Sequence, residues 1–180
     1  MSDREYETER EIGRLLGMKE LTLALAESCT GGLIGHRVTS ISGSSDYFLG
    51  GIVAYADGVK TREFDVNRDV LEKEGAVSEP VARQMAQGVK ERFGSDIGLG
   101  VTGIAGPGGG TDEKPVGLVF IALAHGTTCH VQQFHFQGDR TDIKTLSSQA
   151  ALEMLINYLR DTKGEHYGQE INSQGTAVRA

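Results

Sequence analysis

The residues of this 180-residue chain that could do covalent chemistry fall into a few short segments. The densest is Ala26-Glu27-Ser28-Cys29-Thr30-Gly31-Gly32, which sets a hydroxyl, a thiol and a second hydroxyl just ahead of two glycines. Gly43-Ser44-Ser45 offers another serine; Tyr55 and Lys60 follow, five residues apart. Thr102-Gly103-Ile104-Ala105-Gly106-Pro107 opens a glycine-rich stretch that leads to Lys114, and Gly138-Asp139-Arg140 places a guanidinium near the last third of the chain. A serine needs a base to attack at neutral pH, and no histidine is placed beside one here. A neutral lysine can serve as that base if burial or a nearby cation disfavours its charged form. A cysteine near a helix N-terminus ionises more readily than a serine, which makes Cys29 a rival nucleophile. Unpaired backbone amides at such a turn suit a phosphate or a developing oxyanion.

Each of these residues also has an ordinary structural role. Thr30 can cap a helix, and Ser45 can serve a turn. Lys60 can be a solvated surface lysine, and Arg140 can pair with Asp139 or Asp142 at a helix start. On residue type alone these alternatives stay open. No Gly-x-x-x-x-Gly-Lys-Ser/Thr is present, and the Thr102 segment does not fit Gly-x-Gly-x-x-Gly. The histidines and carboxylates lack metal-ligand spacing, and His125, His130 and His135 are expected to lie exposed along a hairpin, so no metal and no cofactor are expected.

The elements that must position these groups follow from hydrophobic periodicity. Residues 3–18 read as a helix with Ile12, Leu15, Leu16 and Met18 on one side and many acids opposite, facing water. Residues 21–26 form a buried strand and 31–41 a helix, so Ser28, Cys29 and Thr30 occupy a strand-to-helix turn. A β-rich segment at 47–56 ends at Tyr55, and 57–75 reads as short helical turns. Ser78-Glu79-Pro80 starts a firm helix carrying Ala82, Met85, Ala86, Val89 and Phe93. Residues 97–102 form a strand entering the glycine loop 103–110. Segments 116–124 and 128–137 pair as a hairpin, and a last helix at about 141–161 carries Ile143, Leu146, Ala150, Met154, Leu155 and Tyr158. This order predicts an α/β protein, a three-layer α/β/α sandwich on a mixed, mostly parallel sheet with one antiparallel hairpin. A single domain at 1–162 and a disordered tail at 163–180 are expected.

A net charge of −7 with scattered Lys and Arg argues against a nucleic-acid partner. No apolar run approaches the ~20 residues of a membrane span and the N-terminus does not read as a signal peptide, so a cytoplasmic protein is expected. Cys29 and Cys129 read as free thiols.

Taken together, Ala26–Gly32, Gly43-Ser44-Ser45, Tyr55 with Lys60, the 75–80 segment, Thr102–Pro107, Lys114-Pro115-Val116-Gly117 and Gly138-Asp139-Arg140 resemble the CinA C-terminal domain family, the nicotinamide-nucleotide amidohydrolases. The resemblance runs in order over about residues 8–161 and is closest to the family's stand-alone form, without the molybdopterin-binding-like domain of many relatives. It implies an α/β/α fold and hydrolysis of the carboxamide of nicotinamide mononucleotide to nicotinate mononucleotide and ammonia. It further implies Ser45 as nucleophile with Lys60 as its base, Ser28, Tyr55 and Thr102 as supporting site residues, and Arg140 as a substrate anchor. Thr30, Gly31, Gly103 and Gly106 complete the expected substrate-binding set. The expected partners are this small nucleotide and further copies of the chain, with no membrane and no nucleic acid. Two other functions fit the same residues: a non-catalytic nucleotide-binding module, and a hydrolase of another amide.

Overall fold

The structure, a computed structural model, describes residues 6–161. The elements run α1 (Glu7–Lys19), β1 (Leu23–Glu27), α2 (Leu33–Thr39), a 3-10 turn (Ser44–Asp46), β2 (Phe48–Val53), α3 (Asp57–Phe64), α4 (Arg68–Glu74), α5 (Glu79–Phe93), β3 (Ile97–Gly103), β4 (Leu118–His125), β5 (Thr128–His135) and α6 (Arg140–Arg160). The expected tail at 163–180 lies outside the described residues.

The five strands form one sheet in the order β2-β1-β3-β4-β5. Strand β1 pairs in parallel with β2 and β3, while β3–β4 and β4–β5 are antiparallel. Only β4 therefore runs against the rest, and the expected mixed, mostly parallel α/β/α sheet is present. Strand β1 is buried along its whole length, and side-chain alternation divides its residues between two cores. Leu23 and Leu25 join Ile97, Leu99 and Val101 in a core closed by α1, α2 and α6. Ala24 and Ala26 face the other way, onto Phe64 of α3 and Val81, Met85 and Val89 of α5.

The second layer sits unusually close to the sheet. A side chain at Gly98 would begin 2.0 Å from the Ala86 carbonyl, and one at Gly100 2.7 Å from the Ala86 amide nitrogen. The two glycines let the α5 backbone rest directly on β3. Helix α5 opens with Pro80 in its first turn and ends at Gly94 in the left-handed region. Helix α6 starts from a reciprocal capping box of Asp139 and Asp142.

Three expected placements differ. Met18 is 71% exposed and Leu146 41% exposed, since each lies past the edge of its helix's buried stripe. The acids of α1 do not all face water: Glu9 is buried and receives Arg37 Nε of α2 at 2.5 Å, while the rest of that guanidinium bonds Ser148 and Gln149 of α6. This ion pair ties the three helices of one layer together. Nor is the hairpin's histidine row uniformly exposed, because His125 and His130 pack their rings against Tyr158 of α6. Among the described residues no cluster of side chains has the makings of a metal site, and no helix is long and apolar enough to cross a membrane.

Candidate active site

The carboxyl ends of β1, β2 and β3 share one edge of the sheet, the edge where open α/β sheets bind ligands. Glu27, the last residue of β1, pairs with Val53 of β2 and Val101 of β3. The next rung is formed by Ala54, whose amide donates to Glu27 O at 2.8 Å, and by Ser28, whose amide donates to Val101 O at 3.0 Å. Ser28 therefore stands in the middle of this edge, between the β2 and β3 exits, and is 8% exposed. By alternation its side chain follows Ala24 and Ala26, toward α3 and α5.

Lys60 lies on that same side. It is not the solvated lysine its type suggests: it is 1% exposed, and its Nζ donates to Asp57 Oδ1 at 3.2 Å and to Tyr55 O at 3.5 Å. Both partners immediately follow the carboxyl end of β2, and the ammonium charge acts electrostatically on the Cys29 thiol next to Ser28. Ser28 and Lys60 thus share one edge and one face of the sheet.

Ser45 does not. It is exposed on the 3-10 turn that precedes β2, beside Tyr47, whose carbonyl accepts the Leu23 amide at the start of β1. The six residues of β2 then carry the chain across the sheet, a span of about 20 Å at ~3.3 Å per residue. The expected Ser45–Lys60 pair is not formed, because one residue precedes a strand and the other follows it.

Cys29 points into the core shared with α2 and α6 and is 5% exposed. Burial pushes its thiol up to about 12, with Glu27 acting the same way against the opposing pull of nearby amides and Lys60. A thiol held protonated in this way is a poor nucleophile.

Three amides at the start of α2 are not open to an anion. The Glu27 carboxylate, buried on the opposite side from Ser28, accepts from Gly32 N at 2.9 Å, Ile34 N at 3.2 Å and Gly35 N at 2.8 Å. The chain's own anion occupies the α2 N-terminus. Thr30 is not the helix cap; that position is Gly32, with φ of 92°. The Thr30 hydroxyl is buried and has no hydrogen-bond partner among the described residues. Glu27 is the functional-looking residue that motif reasoning passed over, although alternation from Leu23 and Leu25 points it at the α2 core.

Thr102, at the end of β3, is buried and donates its hydroxyl to Ala76 O at 2.8 Å. Lys114 Nζ donates to the carbonyls of Glu74 and Val77. These two residues hold the 74–78 segment against the glycine loop. At Gly103 a side chain would meet Val119 and the Leu118 carbonyl, so this glycine serves close packing on β4. Gly106 offers its carbonyl to Arg140, whose Nη1 donates to it at 2.7 Å. The other Arg140 terminus donates to the Tyr55 hydroxyl. Arg140 pairs with neither Asp139 nor Asp142, which are used in capping α6. An open cleft of about 320 Å³ lies beside it, lined by Ala105, Pro107, Val116 and residues 138–141.

The arrangement gathers Ser28, Tyr55, Lys60, Thr102, Gly106 and Arg140 on one edge and leaves Ser45 on the other. Residues 5–159 match the CinA C-terminal domain. A CinA-like protein of Citrifermentans bemidjiense is 50% identical over 161 residues, covering 89% of this chain and 39% of that protein. One of Geobacter sulfurreducens is 51% identical over 144 residues, covering 80% and 35%. The chain therefore spans less than half the length of these relatives. Among solved structures, the competence/damage-inducible protein CihA of Agrobacterium tumefaciens superposes with a TM-score of 0.81 at 38% identity, covering 87% of this chain and 98% of that one. The competence damage-inducible protein A of Klebsiella pneumoniae gives a TM-score of 0.85 at 29% identity, covering 88% and 98%. With one family matched over nearly all of the described fold, the chain belongs to the CinA C-terminal domain family.

Proposed function

We propose that this protein is an amidohydrolase that removes the amide nitrogen of nicotinamide mononucleotide, with Ser28 as nucleophile and Lys60 as its base. The observation that carries the assignment is positional: of the candidate nucleophiles, only Ser28 shares both an edge and a face of the sheet with the buried Lys60. Ser45 lies at the far edge, and Cys29 faces the opposite core with its thiol protonated.

The reaction requires Lys60 as the amine, its ammonium proton first passed by way of Asp57 to solvent. The amine takes the Ser28 hydroxyl proton as Oγ bonds to the carboxamide carbon, and the carbonyl π electrons move to oxygen. Collapse of this tetrahedral species breaks the C–N bond, and the Lys60 ammonium returns its proton to the leaving nitrogen, which departs as ammonia. Water, deprotonated by the same amine, then hydrolyses the Ser28 ester. Nicotinate mononucleotide leaves and the Ser28 hydroxyl is restored. Asp57, 3.2 Å from Nζ and with a 61% exposed side chain, connects this buried nitrogen to solvent for proton exchange. Tyr55, held by Arg140, frames the opening of the site.

Ammonia release from nicotinamide mononucleotide by the purified protein tests the reading. Turnover that survives chelation, is lost in Ser28→Ala and persists in Ser45→Ala is the expected result. A dead Ser45→Ala protein beside an active Ser28→Ala protein would transfer the chemistry to the other edge.

A further inference from the structure

Among the described residues, four cations reach the carboxyl edge of the sheet, and three of them are engaged. Lys60 meets Asp57, Lys114 holds two carbonyls, and Arg140 bonds Gly106 O and the Tyr55 hydroxyl. Lys144 is the exception. It is half-buried and has no carboxylate or hydrogen-bond partner among the described residues. Its ammonium stands 3.5 Å from the point where a side chain on Gly31 would begin. Gly31, with φ of 64°, belongs to the turn that leads out of Ser28.

Lys144 follows Arg140 by one turn of α6, so the two cations lie side by side on one helix face. Arg140 reaches the β2 exit and the glycine loop, and Lys144 reaches the β1 exit. The placement works against helix stability twice. Like charges at this spacing repel, and cations near a helix N-terminus oppose the macrodipole. Asp139 and Asp142 bring negative charge to the same turn, but both carboxylates are turned to the capping box and neither is an ion-pair partner of Arg140 or Lys144. Two adjacent cations without an ion-pair partner among the described residues, at the start of a helix and in an acidic protein, suit an anionic ligand between them.

We propose that Lys144, with Arg140 beside it, forms the anion subsite that takes the phosphate of the mononucleotide. The proposal rests on the substrate class given above and adds the end-for-end orientation: phosphate toward α6, carboxamide toward Ser28 and Lys60. Lys144 is the binding group free to meet the phosphate directly, whereas Arg140 must share its guanidinium with Tyr55 and Gly106.

The test compares the nucleotide with its dephosphorylated riboside on wild type, Lys144→Gln and Lys144→Arg. Removing one charge-assisted contact is expected to lower kcat/KM for the nucleotide roughly 10–100-fold relative to the riboside. Lys144→Arg, which keeps the charge, should recover most of the preference, and inorganic phosphate should compete with the nucleotide on wild type but poorly on Lys144→Gln. An unchanged nucleotide-to-riboside ratio in Lys144→Gln overturns the subsite while leaving the hydrolase intact. If wild type releases no ammonia at all, the hydrolase reading falls, and calorimetric binding of the mononucleotide and riboside decides the subsite separately. Selective loss of mononucleotide binding in Lys144→Gln then supports it, and equal binding by both proteins overturns it.

Discussion

Glu27 and Ser28 are adjacent at the end of one strand, both are polar and both are nearly inaccessible, yet they belong to opposite sides of the molecule. Glu27 follows Leu23 and Leu25 into the α2 core, where three backbone amides saturate its carboxylate. Ser28 follows Ala24 and Ala26 toward α3, the helix that carries the buried Lys60. One step along a strand exchanges a structural anion for a chemical group. The β1–α2 turn is often read as a single anion-binding device, but here its two faces are divided. One closes the helix start from within the chain, and the other carries the proposed nucleophile.

The sharpest way to break this division is to remove the proposed reacting pair. Ser28→Ala is expected to lower turnover by at least roughly 10³-fold, because the other hydroxyls of that edge, on Tyr55 and Thr102, are engaged by Arg140 and the Ala76 carbonyl. Lys60→Met keeps the aliphatic stem and removes only the proton acceptor, with an expected loss of about 10²–10⁴-fold in kcat and little change in nucleotide binding. Near-normal turnover of Lys60→Met, measured by ammonia release, would make Lys60 a packing residue and leave Ser28 without a base.

Most of the fold was legible because its signals are local. A short, bounded apolar run marks β1, the 3.6-residue stripe marks α5 and α6, and Pro80 and Gly94 bracket a helix. The residues at strand exits were legible too, since Ser28, Tyr55 and Thr102 each end an apolar run. The pairing of Ser45 with Lys60 came from the resemblance alone, and residue types do not report the direction of β2: a strand between two residues puts them at opposite edges. Burial of Lys60 depends on α3 packing against α5, and no pattern within residues 57–64 reports that. Lys144 escaped notice for a similar reason, as the turn it covers lies far back in the chain. Glu27 was available by parity and was hidden by the habit of reading a polar cluster as one unit.

The structural side of the comparison predicts a stability effect in place of a catalytic one. Glu27→Gln keeps the size of the side chain but replaces an acceptor oxygen with an NH2 group facing backbone amides. The cost expected is about 1–3 kcal/mol, the usual penalty for buried groups left unpaired. It should appear as a lower guanidinium midpoint. An unchanged midpoint would mean that the three amides find other partners, and that Glu27 does not hold the α2 start.

Cys29 gives the smallest effect and the closest control, being the next residue after Ser28 on Glu27's side of the strand. Cys29→Ala should retain a substantial fraction of turnover and lose about 1 kcal/mol or less of packing. Iodoacetamide at pH 8 should leave the folded wild type active, because the thiol is buried and protonated up to about 12. The same shift carries a sign for stability. An unfolded cysteine ionises near ~8.5, so the fold's preference for the neutral thiol is fully present below that pH. It is lost as pH rises from there through about 12, where the folded thiol titrates. Wild type should therefore lose stability over this alkaline window more steeply than Cys29→Ala. Parallel curves for the two proteins would show that Cys29 ionises as easily in the fold as outside it, and would bring the thiol back as a rival to Ser28.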